Sequence, residues 1–187
     1  MREMQSRIRS MALLHESLYR SGNFAQVDMV AYLRQLATQL FRAQAAGAGR
    51  VRLTCDFAPA RLEIDQAVPC GLIVNELVTN ALKHGFPGDR GGDVTIGLQP
   101  VAGGPQLCLR VADTGVGPPE DFEQRRRKSL GMQLVGDLAR QLGGVLEMGA
   151  GPGAVFEVIF LPKQPVAAEG PTAQLPLAGI LVEHAGV

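Results

Sequence analysis

From Arg2 to Tyr19, apolar side chains recur at Ile8, Met11, Leu14 and Leu18, with charged and polar residues between them. That three-to-four spacing predicts an amphipathic helix ending near Ser21-Gly22, whose exposed stripe needs a partner. A second helix is expected from Asp28, an N-cap candidate, through Val30, Leu33, Leu36, Ala37, Leu40 and Phe41 to the glycines at 47 and 49. The period then shortens. Val51, Leu53 and Cys55 alternate with Arg52, Thr54 and Asp56, as in a strand with one buried face.

Asp65 is the expected cap of a third helix running to His84, with Pro69 tolerated in its first turns. Two alternating runs follow: Val94, Ile96 and Leu98, then Leu107, Leu109 and Val111. They read as a hairpin turned at Gly103-Gly104, its second strand ending on Asp113. Thr114 to Ser129 is glycine, proline and charge without periodicity, and reads as a long, mobile, basic loop. A fourth helix is expected from Leu130 to Leu142, stopped by Gly143-Gly144, followed by strands Val145 to Met148 and Val155 to Leu161. Mixed in this order, the elements imply an α+β fold: a two-layer α/β sandwich with helices on one face of a mixed, mostly antiparallel sheet.

Composition narrows the setting. At 187 residues the chain suits one ordinary core with appendages, and 18 basic against 18 acidic residues give no electrostatic case for nucleic acid or a membrane surface. Cys55, Cys70 and Cys108 lie far apart without metal or disulfide spacing, which fits a reducing, cytoplasmic setting. The most apolar stretch, Gly71 to Leu82, is broken by Asn75, Glu76 and Asn80, so a soluble segment without membrane contact is expected. Beyond Pro162 the residues are mostly Pro, Ala and Gly, the composition of a linker or disordered tail.

Three places carry chemistry. On the third helix, Glu76, Asn80 and Lys83 fall within one narrow arc while Val74, Leu77, Val78, Ala81 and Leu82 cover the rest. A carboxylate, an amide oxygen and an ammonium suit a magnesium ion and its phosphates, unless the stripe simply faces water. Asp113-Thr114-Gly115-Val116-Gly117 stands where a strand ends; the carboxylate can accept from a ligand amine, or the segment is an ordinary turn. Ser129-Leu130-Gly131-Met132 opens the fourth helix, where free N–H groups and the helix dipole favour an anion, or only a capping serine.

In their order and spacing these elements resemble the boxes of the histidine kinases. Asn75 to His84 is similar to the N box, Asp113-x-Gly115-x-Gly117 to the first glycine box, and the segment around Gly131 to the second. The resemblance covers roughly residues 50 to 162 and extends to the ATPase superfamily of gyrase, the ninety-kilodalton heat-shock chaperones and mismatch-repair ATPases. It implies a Bergerat-type ATP-binding fold using ATP and Mg2+, with Asn80 as a magnesium ligand, Lys83 and His84 near the phosphates, and Asp113 accepting from the adenine amino group. Glu76 matches the general-base position of the hydrolytic relatives, so its implied role is catalytic. Gly115, Gly117, Ser129, Leu130, Gly131 and Met132 complete the implied nucleotide site.

Arg7 to Tyr19 resembles the second dimerisation helix of the HWE-related (HisKA type 2) class. That implies a division into residues 1–22 from the dimerisation and phosphotransfer helices, 23–162 as catalytic domain and 163–187 as linker. It also implies a homodimeric parent, a response-regulator receiver domain as partner, and a phosphoacceptor histidine in a preceding helix, His15 being structural. On this reading the chain binds nucleotide without phosphorylating itself. The sequence departs from the family in having only Gly131 in the second glycine box, Ala154 where a threonine is usual, and no Trp. A serine/threonine kinase of the anti-sigma type and a non-enzymatic nucleotide-sensing module remain alternatives. Arg125 to Lys128 either adds charge near the terminal phosphate or is a solvated run. The apolar Leu177 to Val182 faintly resembles the first strand of a receiver domain.

Overall fold

The computed structural model describes residues 26–44, 50–88 and 90–163, together with Ala12. The expected first helix therefore lies outside the described residues save for Ala12, and so do the glycines at 47 and 49 and the segment from 164 onward. In chain order the elements are β1 (Gln26–Asp28), α1 (Met29–Gln44), β2 (Val51–Phe57), β3 (Arg61–Glu63) and α2 (Ile64–Asn80). A π-helical turn (Ala81–Gly85), β4 (Gly92–Pro100), β5 (Leu107–Asp113), α3 (Phe122–Lys128), α4 (Leu130–Gln141), β6 (Val145–Met148) and β7 (Val155–Phe160) follow.

The five-stranded sheet has the order β2-β4-β5-β7-β6, with β2 and β4 parallel and every other neighbour antiparallel. Its register explains the alternation. Cys55 stands opposite Ile96, Ile96 opposite Val111 and Val111 opposite Phe156, so apolar side chains cross the sheet in one file on the helix side. The other face carries cross-strand ion pairs, Arg52 with Asp93 at 2.8 Å and Arg110 with Glu157 at 3.0 Å. The Arg52 guanidinium, by its hydrogen bond, holds the Asp93 carboxyl below its ordinary range.

α2 is the central helix, with every residue from Pro69 to Thr79 buried. Leu33 and Leu36 of α1, Ile73 and Val74 of α2, and Met132 and Val135 of α4 share one core with the sheet. α1 and α2 pack closely because Gly71 has no side chain: a Cβ there would overlap the Tyr32 hydroxyl. Burial pushes the Tyr32 phenol and the Cys70 thiol well above their usual ranges, so both stay neutral. Gly71→Ala should therefore lower stability by about 1–3 kcal/mol through overpacking, read as a shifted midpoint in urea unfolding.

Asp28 caps α1 as expected, its Oδ1 accepting from the Ala31 N–H at 3.1 Å. Asp65 does not cap α2. The helix starts one residue earlier, at Ile64, behind a Glu63 that makes no side-chain cap. β1 and β3 form a two-stranded ribbon that pairs Val27 with Leu62, and β3 runs straight into α2. Tertiary pairing, not a side chain, thus sets the start of the helix; Asp65 instead meets Lys163. At the other end α2 widens into the π-turn, so the expected continuation to His84 is helical but not α.

The largest correction is at Thr114 to Ser129, read as loop throughout. It contains the helix α3, in which Glu, Gln, Arg and Lys all have good helix propensity, Glu123 pairs with Arg126, and Phe122 buries part of its ring on β7. One anchoring aromatic in seven residues is too little for a period to register.

Candidate functional site

A cavity of about 520 Å³ opens between α2, the sheet and the segment that follows β5. Leu77, Asn80, Ala81, His84 and Gly85 form one wall, Val111, Asp113, Ala154 and Phe156 the floor, and Val116 to Pro119, Phe122, Arg126, Ser129 and Met132 the remainder. Its volume and largely apolar lining suit an organic ligand of moderate size, with polar groups at few, defined places.

Asp113 is the most constrained of these. It is 5% exposed, at the end of β5, and its Oδ1 accepts from the Gly115 N–H at 2.8 Å and the Ala154 N–H at 3.3 Å. These two amides offset the cost of burying the carboxylate, and they leave Oδ2 to meet a ligand donor. The cradle is made of glycines. A Cβ at Gly115 would overlap the Gly85 carbonyl oxygen, and one at Gly153 would overlap Asp113 Oδ1 and stand 2.5 Å from the Asp113 carbonyl oxygen. The Val116 N–H donates to Gly85 O at 2.9 Å, tying this segment to the end of the π-helical turn. Gly117, at φ +75, then bends the chain over the cavity mouth.

α3 lies over one side. Phe122 sits 5.8 Å from Phe156, centroid to centroid, and Arg126, one turn on, brings a guanidinium to the cavity wall. Among the described side chains of the basic run, Arg127 and Lys128 are exposed and Arg126 lines the cavity. At the far end Ser129 caps α4, accepting from the Met132 N–H at 3.4 Å, and Asn80 Nδ2 meets Met132 Sδ at the same distance. The Asn80 carbonyl oxygen remains for a ligand.

Among the expected site residues, Asn80, His84, Asp113, Gly117, Ser129 and Met132 come together on the cavity wall. Glu76, Lys83, Gly115, Leu130 and Gly131 do not line it: Gly115 supports Asp113 from behind, Glu76 is buried against Gly131, and Lys83 and Leu130 are exposed. Phe122 and Phe156, not singled out as binding groups, complete it with Arg126 of the basic run, and Gly153 supports Asp113 without lining the cavity. The one sequence signal for the last was the glycine-dense 149–153, Gly-Ala-Gly-Pro-Gly. Among the described residues no cluster of His, Cys, Asp and Glu could hold a metal by itself, and no helix is long and apolar enough to cross a membrane.

Known proteins share this fold. Residues 65–165 match a family described as histidine kinase-, DNA gyrase B-, and HSP90-like ATPase, and residues 1–44 match one described as histidine kinase. The chain is 29% identical over 163 residues to blue-light-activated histidine kinase 2 of Erythrobacter litoralis, covering 85% of this chain and 46% of that protein. To the sensor histidine kinase PdtaS of Mycobacterium tuberculosis it is 30% identical over 148 residues, covering 78% of this chain and 29% of that one. It thus spans about half, or less, of the curated relatives it matches. The solved histidine kinase domain of the Erythrobacter litoralis EL346 blue-light activated kinase superposes with a TM-score of 0.75 at 26% identity, over 84% of this chain and 74% of that one. A buried carboxylate in a glycine cradle, an asparagine on the central helix and a capped helix at the far end thus occur on a fold and a sequence shared with these proteins, and the chain belongs to the histidine kinase-, DNA gyrase B-, and HSP90-like ATPase family, on its histidine kinase side.

Proposed function

We propose that the cavity binds ATP and that the chain is the catalytic, ATP-binding part of a two-component sensor histidine kinase. Such a kinase moves the γ-phosphoryl group to a histidine and then to an aspartate of a response-regulator receiver domain. The observation that carries this is Asp113, a buried carboxylate in the lining of a largely apolar cavity, with one oxygen tied to backbone. That combination fits a flat base with an exocyclic amine. The N-terminus of α4 offers N–H groups and a favourable dipole for phosphates.

Magnesium would arrive with the triphosphate. The Asn80 amide oxygen fits as its one protein ligand, phosphates and water supplying the rest, as is usual for this ion. The ion neutralises phosphate charge when bound, and the chain's own part is to position and enclose: Phe122 and Phe156 exclude water from the base, Arg126 and His84 add positive or hydrogen-bonding groups at the wall, and Ser129 holds α4 in place.

The match of residues 1–44 to a histidine kinase model supports this reading over a serine/threonine kinase of the anti-sigma type. It also supports dimerisation of the parent through helices that include the N-terminal segment. Successive units at residues 1–22, 23–162 and 163–187 and work in the cytoplasm are part of the same proposal. Calorimetric titration of ATP with magnesium should give saturable one-to-one binding. Absence of heat at millimolar nucleotide would remove the kinase reading and leave a structural or sensing module.

A further inference from the structure

α4 begins against the carboxylate of Glu76. A Cβ added at Gly131 would stand 2.8 Å from Glu76 Oε2, so the carboxylate lies beside the bare α-carbon of the second residue of the helix. Leu130, Gly131 and Met132 open α4, where backbone N–H groups have no carbonyl of their own helix to reach. Gln133 is the first to find one, donating to Ser129 O at 3.0 Å. The Ser129 side chain serves the Met132 N–H alone, and at a long 3.4 Å. The position of Glu76 is fixed by the fold, because it is 5% exposed and sits midway along the buried stretch of α2. Its other oxygen, Oε1, meets Asn75 Nδ2 at 3.4 Å.

We propose that in the nucleotide-free protein Glu76 is a stand-in anion, its carboxylate occupying the place at the start of α4 that nucleotide phosphates take on binding. This rests on the nucleotide reading above. A carboxylate in the first turn of a helix interacts favourably with the N–H groups and dipole there, as a phosphate does. Two anions cannot both take that turn, so phosphate must displace the carboxylate. Glu76 therefore keeps the start of α4 ordered while the cavity is empty, lowers nucleotide affinity by competition, and becomes available to other groups only once nucleotide has displaced it.

The test is Glu76→Gln, which keeps size and hydrogen bonding and removes the charge. ATP without magnesium should bind the variant about three- to tenfold more tightly than the wild type by calorimetry. In the nucleotide-free variant the amides of residues 130–132 should exchange hydrogen faster than in the wild type, and ATP should restore their protection. Equal or weaker binding would overturn the proposal, and so would tighter binding with unchanged exchange, which would mean repulsion from a distance rather than occupancy. Should Glu76→Gln fold poorly, Glu76→Asp, one methylene short of the turn, should show both shifts in smaller measure. Wild type that fails to bind ATP overturns the nucleotide reading and this proposal together. Wild type that binds, with no gain in the variant, overturns this proposal alone.

Discussion

Replacing Gly153 by alanine should abolish measurable ATP binding while leaving a folded, less stable protein. The added Cβ would overlap Asp113 Oδ1, stand 2.5 Å from the Asp113 carbonyl oxygen and 2.7 Å from the Gly115 nitrogen. Two of these three neighbours are backbone, so no rotamer change relieves the contact. The strand end at Asp113 must move away from 153–154, stretching the Asp113 N–H bond to Ala154 O, now 2.9 Å, and the Ala154 N–H bond to Oδ1, now 3.3 Å. Overpacking of this kind costs about 1–3 kcal/mol, and each strained hydrogen bond adds about 1 kcal/mol. Even about 3 kcal/mol of misplacement at the carboxylate is about a hundredfold in affinity. Titration with ATP, beside urea unfolding of the same variant, reads both effects. Unchanged binding would mean that the base does not sit on this cradle.

The helix and strand periods made most of the framework legible. Val94, Ile96 and Leu98 with Leu107, Leu109 and Val111 are the β4–β5 hairpin, and the turn at Gly103, φ +82, is where the glycine pair placed it. Asp113 could be read as a strand-end carboxylate because alternation fixes where β5 stops. Elements of three residues were not legible, since β1 and β3 are too short to show alternation and exist through pairing with each other. Nor was α3, which depends on a single ring packed on Phe156. The cradle shows the same limit at the site itself: Gly153 and Ala154 meet Asp113 through the β5–β7 register, across about forty positions, and no local pattern encodes that meeting. Glu76, Asn80 and Lys83, expected on one arc of an α-helix, face different surroundings: Glu76 is buried beside Gly131, Asn80 lines the cavity, and Lys83, in the π-turn that follows Asn80, is exposed.

Asp113→Asn should exchange one base preference for another without unfolding the protein. The two backbone N–H groups of Gly115 and Ala154 now donate to Oδ1. An asparagine of the same shape keeps both bonds if its amide oxygen takes that place, which directs its NH₂ to where Oδ2 now stands. The reverse orientation would aim an NH₂ at two N–H donors, at the cost of leaving buried groups unpaired. The cavity then presents a donor where it had presented an acceptor. An adenine amino group meets it as donor against donor, so ATP binding should weaken by at least about 1.5–3 kcal/mol, about tenfold or more. A base with a carbonyl in place of that amine offers the acceptor that the new NH₂ needs. Inosine triphosphate should therefore bind Asp113→Asn better than ATP does, while the wild type keeps the opposite order, and the unfolding midpoints of the two proteins should stay close. Equal loss for both nucleotides would show that the substitution damages the cradle rather than inverting it. Unchanged affinity for both would place the base elsewhere in the cavity.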